Sequence, residues 1–307
     1  MTPSLDTPRD HHYVPQFYLR NFACDSATRR VRTVGKHGFL AIWSERSIDR
    51  IGFERDLYVH YRQGVPVCVE TAINRNVETP IAGSDTWTKI VSGRTDSLDR
   101  SDKAVLYALI RHLEARNPHY SATGSELAEL AARSTAGIPF TEEEREFFSW
   151  MRENPDLAKA MYNQMAASLA WTEKSFRGSA LSILHSPIPL RSSTAPVIAL
   201  PAPQHRALDL PLPGMVPYQL VLPLDPRTMA SLVLGDFDDA FTNIDVGEDV
   251  AKGFNRYAMG HFTHFGHVRH LITDRDGLEE DMRWARYELA QETARKAVFR
   301  RRASASS

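Results

Sequence analysis

The chain has 307 residues, 42% of them hydrophobic and 24% charged, with a formal net charge of −1 and a pI near 6.9. That length and apolar content suffice for one large core or two small ones, and the neutral balance gives no global basis for nucleic-acid binding, a local basic patch aside. Cys24 and Cys68 alone make no disulfide framework, the first residues lack a signal-peptide run, and no segment approaches the ~18 uninterrupted apolar residues of a membrane span, so the expectation is a soluble cytoplasmic protein with no membrane partner.

Residues 1–9 are polar and proline-containing and predict a loose arm. The densest stretch follows, His11-His12-Tyr13-Val14-Pro15-Gln16-Phe17-Tyr18-Leu19-Arg20-Asn21-Phe22. Pro15 suits the first helical position, and Tyr18 and Phe22 stand four apart, which predicts a short buried helix. His11 and His12 would lie just before it, where the positive end of the helix dipole favours neutral imidazole. A neutral ring can be a metal ligand or a general base. The blander reading has one histidine bonded to a backbone carbonyl and the other facing water.

Arg30 to Val34 alternates at period two and pairs naturally with Phe39 to Trp43 across Lys36-His37-Gly38, while Leu57 to Tyr61 reads as a third strand. The period then becomes helical. Val69, Ile73 and Val77 recur every four residues until Pro80, which is expected to stop or kink the helix. Glu70, Asn74 and Glu78 form a polar stripe beside that seam. A helix from Lys103 to Ala115 ends at Arg116-Asn117-Pro118, another opens with a capping box at Thr141 and Glu144, and a long one spans Asp156 to about Trp171.

Eight of the eighteen prolines fall from Pro187 to Pro217, so this part predicts short strands and an exposed loop at Gln204 to Gly214. The strands are expected at Ala180 to Leu184, Val197 to Leu200, Tyr218 to Leu222 and Ser231 to Leu234. Helices from Asp249 to Phe262 and from Gly277 to Phe299 flank a strand at His267 to Thr273.

The opening motif resembles that of a large bacterial family known as domain of unknown function 4238, whose members begin with a His-Tyr-Val-Pro segment running into an aromatic turn. Weaker similarity continues through the Glu-rich helix at Val69 to Glu78, the helix end at Arg116, and Asn255. The family's Thr-Ser-Asp-Asn-Pro segment falls on Ser192-Ser193-Thr194-Ala195-Pro196, with Thr194 in place of the aspartate. The resemblance implies shared architecture and a candidate site, and no particular reaction.

Other motifs are weaker. The His-His-x-x-Pro string is similar to the opening of the His-Asn-His nucleases, but the asparagine and second histidine that those enzymes need do not follow at the required spacing. His261, His264, His267 and His270 look like a metal-ligand tract, yet a helix end and a strand would aim them differently. Glu70 and Glu78 would be ~12 Å apart on a continuous helix, too far for one catalytic pair, so each needs its own partner. Arg116 suits one of them.

The expected fold is α+β: a central helical bundle flanked by an N-terminal β layer and a C-terminal mixed β/α portion. Residues 10–299 would form a single compact domain and residues 300–307 a disordered tail. The first functional expectation is a metal-assisted hydrolase, phosphodiesters being one substrate option, with a pocket built from His12, Glu70, Glu78 and Arg116. His12 would be base or ligand, Glu70 would hold a divalent metal with it, and Arg116 would steady an anionic group. The alternative is a non-catalytic binding module in which the same residues form a buried clamp, an alternative that Thr194 favours.

Overall fold

The computed structural model describes residues 10–287 except 26, 38–39, 117–141, 168–175, 202–217, 236 and 265. The expected arm, the capping box at Thr141, the loop at 204–214, the end of the long helix near Trp171 and the tail all lie outside the described residues. Helices and sheets are both extensive, so the fold is mixed α+β. None of the described helices is long and apolar enough to cross a membrane.

Strand β1 (Asp10–His12) pairs antiparallel with β5 (Phe53–Arg55), placing His11 opposite Glu54 and His12 opposite Phe53. Neither strand stands out in the sequence, because three residues are too few for a period to show. Helix α1 (Gln16–Leu19) follows and tightens into a 3₁₀ turn at Arg20–Phe22. Pro15 sits one position earlier than expected, as the N-cap with ψ 138°, and its carbonyl receives the N–H groups of Tyr18 and Leu19. The chain is steered into this turn by Gly52, whose carbonyl accepts from Tyr13 and Val14 at 2.8 and 3.1 Å.

The hairpin of β3 (Arg30–His37) and β4 (Leu40–Ser47) matches the expected pair of strands, and β2 (Ala23–Asp25) joins the edge of β3. This layer is not built from the N-terminal part alone. The late strand β14 (His270–Ile272) pairs with β3, and β9 (Ser192–Ser193) pairs with β14. The second hairpin, β6 (Val59–Arg62) and β7 (Val65–Cys68), leads directly into the acidic helix.

That helix does not stop at Pro80. It runs as α2 (Glu70–Ile73), a π turn (Asn74–Glu78) and α3 (Thr79–Ala82), ending at Gly83. In the π turn the Thr79 N–H reaches back five residues to the Asn74 carbonyl. The widened turn is completed just before Pro80, so the missing proline N–H falls where α geometry is starting afresh, as at the start of any helix. After α4 (Asp85–Val91) comes α5 (Lys103–Ala115), with the bounds expected from the sequence. It buries residues around its whole circumference, including Leu106, Tyr107, Leu109, Ile110 and His112, which identifies it as a core helix and not a surface one.

Helices α6 (Glu142–Glu153) and α7 (Pro155–Ala167) precede a five-stranded sheet in the order β10-β11-β12-β8-β13. Its members are β8 (Ala180–His185), β10 (Ile198–Pro201), β11 (Tyr218–Asp225), β12 (Thr228–Val233) and β13 (Phe241–Asp245). Only β13 runs parallel to its neighbour. Helix α5 packs against β11 and β12, while α8 (Glu248–His264) contributes Phe254, Met259 and Phe262 to a hydrophobic cluster shared with Val34, Val268 and Leu271. Residues 278–287 form the described part of the last helix.

Gly52 offers a direct test of how the opening segment is held. Its φ of +65° lies in the left-handed region, and a Cβ there would approach the Val14 Cβ at 2.9 Å. Gly52→Ala should therefore destabilise the fold by about 1–3 kcal/mol, measured by urea denaturation. An unchanged midpoint would show that this turn does not constrain the fold.

Candidate functional site

Successive residues of a strand face opposite ways, so β1 delivers its two histidines to different environments. His11 is fully buried. Its Nδ1 accepts the Tyr58 backbone N–H at 3.0 Å, and its ring stacks on that of Tyr58 with centroids 5.6 Å apart. Nε2 lies 3.5 Å from a Glu70 carboxylate oxygen and 3.7 Å from Cys68 Sγ. The His12 ring instead lies beside Phe53, and Asp49 contributes to its electrostatics. Burial lowers the pKa of His12, Asp49 opposing and Arg116 reinforcing the shift. Its Nε2 is buried and has no hydrogen-bond partner among the described residues.

Arg116, 1% exposed, closes α5 onto β1. Its Nη2 donates to the His12 carbonyl and its Nη1 to Glu78 Oε1. Its Nε donates to the Tyr58 hydroxyl at 2.6 Å, and Nη1 also lies 3.2 Å from His112 Nε2. A buried guanidinium without such partners would be strongly destabilising, so this is a clamp between strand and helices. Tyr58 joins clamp and histidine, touching Arg116 through its hydroxyl and His11 through its backbone. Burial raises the phenol pKa, and Arg116 opposes the rise.

Three donor atoms, His11 Nε2, Cys68 Sγ and a Glu70 oxygen, lie within 4.8 Å of one another. Cys68 ends β7 and Glu70 opens α2, so the hairpin-to-helix junction presents both, partly exposed, to the buried ring. Burial raises the Glu70 carboxyl, with His11, Arg116 and the His12 backbone opposing. Burial likewise pushes the Cys68 thiol up, the neighbouring Glu70 and Asp56 charges adding to it while the Glu70 backbone opposes.

The arrangement rules out a thiol–imidazole–carboxylate relay, which needs the thiol and the acid on opposite ring nitrogens. Here both face Nε2. Two uses remain for a shared ring nitrogen. Without a cation, the Tyr58 N–H holds the Nδ1 lone pair, so a neutral ring carries its proton on Nε2 and donates towards Glu70. With a cation on Nε2, that proton would move to Nδ1 and the Tyr58 N–H would lose its acceptor. That loss costs about 1–3 kcal/mol. Structural zinc sites supply about 10–16 kcal/mol, so a zinc-class ion can win the exchange.

Of the four residues expected to share one pocket, Glu70, Glu78 and Arg116 do gather around Tyr58 and β1, but His12 contributes only its backbone. It is His11, and not His12, whose ring lies 3.5 Å from Glu70, because strand geometry turns the two imidazoles apart. Glu70 and Glu78 take different partners, as their spacing requires. Cys68, Tyr58 and His112 were missed. A strand assignment for residues 10–12 would have warned that only one histidine could face the acidic helix, and Cys68-x-Glu70 at a strand-to-helix junction was a readable signal.

Thr194 is fully buried, and its Oγ1 accepts the backbone N–H groups of Arg269 and His270, each at 3.1 Å. It ties β9 to β14 and also bonds Tyr13. An acceptor is what this position requires, and a hydroxyl meets that need without a buried charge. In the late histidine tract, the His261 and His267 rings lie 5.8 Å apart at 76°. His270 rests on Gly35, and burial lowers its pKa to about 4, with Arg46 and Arg269 adding to the shift. Among the described residues, the tract does not form a three-donor metal group.

The family model described as Protein of unknown function (DUF4238) matches residues 10–261. No curated protein matches the chain. No solved structure matches it either.

The clamp predicts a pH dependence. Burial lowers the His112 pKa from 6.5 to about 3, so the folded protein holds this ring neutral while the unfolded chain binds a proton below about 6.5. The stabilisation is fully present above pH 6.5 and is lost progressively as pH falls towards 3. Urea midpoints should fall over that window in the wild type and fall less steeply in His112→Gln. Parallel pH profiles would refute the assignment.

Proposed function

We propose, for a chain that belongs to the DUF4238 family, that it is a metal-assisted hydrolase whose working face is the His11 side of the first strand. One observation carries this reading: an imidazole, a thiol and a carboxylate converge at a partly exposed junction. Three protein donors on one side of a cation leave the other side to water, and a cation in such a position makes hydroxide available near neutral pH. Phosphodiesters and carboxylic esters both suit that chemistry. Glu78 and Arg116 then support the site without touching substrate. The same reading takes α3, α4, α5 and α7 as a helical bundle backing the β layer.

A second reading, a non-catalytic binding module, is favoured by Arg116. Its guanidinium already meets Glu78, Tyr58, His112 and the His12 carbonyl, so steadying an anionic substrate would require breaking the clamp. Arg116→Ala should cost about 3–5 kcal/mol in stability by leaving buried partners uncompensated. A folded, equally stable Arg116→Ala protein would rule out the clamp.

Turnover decides between the readings. Chelator-treated protein reloaded with zinc or manganese should hydrolyse at least one member of a panel of aryl phosphodiesters and aryl esters. Glu70→Gln should lose ~100-fold or more in kcat/KM with its melting temperature little changed. Absence of metal-dependent turnover across the panel would leave the binding module as the reading.

A further inference from the structure

We infer that His11 Nε2, Cys68 Sγ and the Glu70 carboxylate are the ligands of one zinc-class ion, with the remaining position facing solvent. This deepens the metal-assisted reading and rests on it for the site's purpose, while the ligand set stands on its own geometry.

The donor types point away from magnesium and calcium. Those ions take oxygen ligands, about six or more of them, whereas this cluster offers nitrogen, sulfur and one carboxylate. The other acid of the same helix, Glu78, is committed to Arg116. The two spacings about the imidazole nitrogen also fit. Tetrahedral bonds of about 2.0–2.1 Å to nitrogen and about 2.3 Å to sulfur place those atoms about 3.6 Å apart, and nitrogen to oxygen is slightly shorter. The observed separations are 3.7 Å from Nε2 to Cys68 Sγ and 3.5 Å from Nε2 to Glu70.

The three ligands arrive on three elements that are themselves held. His11 is fixed by β1 pairing and by the stacked Tyr58 ring. Cys68 is fixed by its pairing with Val59, and Glu70 by the start of α2. This support brings the three donors together, while a cation on Nε2 has to displace the Tyr58 N–H from Nδ1. Cys68 and Glu70 are partly exposed, which gives an ion a way in without unfolding the ring's pocket.

The test is a titration of the chelator-treated full chain with cobalt(II). One equivalent should bind and produce a near-ultraviolet thiolate-to-cobalt charge-transfer band, and zinc should abolish the band by displacement while a large excess of magnesium should not. Cys68→Ser, at a partly exposed position, should fold but lose the band, and Glu70→Gln should weaken cobalt binding. In the wild type, zinc should also slow alkylation of Cys68 by iodoacetamide at least tenfold while leaving the exposed Cys24 unaffected, a readout that needs no variant. A folded chain with no band, a band that survives in Cys68→Ser, or Cys68 alkylation indifferent to zinc would each overturn the site. Magnesium-dependent hydrolysis without a thiolate band would sink this ligand set and keep the hydrolase. A thiolate band without any turnover would do the reverse.

Discussion

A positive charge that cannot reach water organises this molecule. Arg116 sits at the end of α5, a helix buried around its whole circumference, and its guanidinium must find partners inside the protein or prevent folding. It finds them on three sides: the carbonyl of His12 on the first strand, the carboxylate of Glu78 at the end of the π turn, and the phenol of Tyr58. Each bond fixes an element that the hydrophobic effect alone would leave free to slide, because apolar contact has no direction. The first strand is therefore held at one rotation about its axis, and that rotation decides which histidine faces the acidic helix.

The rest of the opening segment is anchored to the opposite part of the fold. Tyr18 is buried with its hydroxyl 2.8 Å from both Ser192 Oγ and the Pro223 carbonyl, and Asn21 donates to the Leu224 carbonyl at 3.0 Å. Twelve residues thus touch the helices at one end and both five-stranded sheets at the other. The density of polar and aromatic groups in this stretch reflects its position as a junction, where backbone groups from separate layers need side-chain partners.

Much of the regular structure was legible because it obeys a simple period. Helix α5 announces itself through Val105, Leu106, Leu109, Ile110 and Leu113, and the β3–β4 hairpin through alternation about a turn. The π turn was not legible, since Pro80 carries a strong breaking signal and nothing local shows that a widened turn will absorb it. Strand β1 was also hidden, being three residues long and defined only by its pairing with β5. Without that strand His11 and His12 are equivalent in the sequence, and with it only the His11 ring faces Glu70. Glu70, Glu78 and Arg116 were recognisable as polar groups beside apolar seams, whereas nothing in the strand at Leu57 to Tyr61 marks Tyr58 as a partner of Arg116.

The pairing of β14 with β3 has a consequence for synthesis. Arg32 and Asp274, bonded at 2.7 Å just beyond the ends of that pairing, are 242 positions apart. A ribosome that has released the first hairpin, which ends at Ser47, must still translate as far as His270 before the strand that covers its open edge emerges. Through that interval the edge of β3 that β14 covers offers unpaired backbone groups, the feature by which an exposed strand edge pairs with other chains.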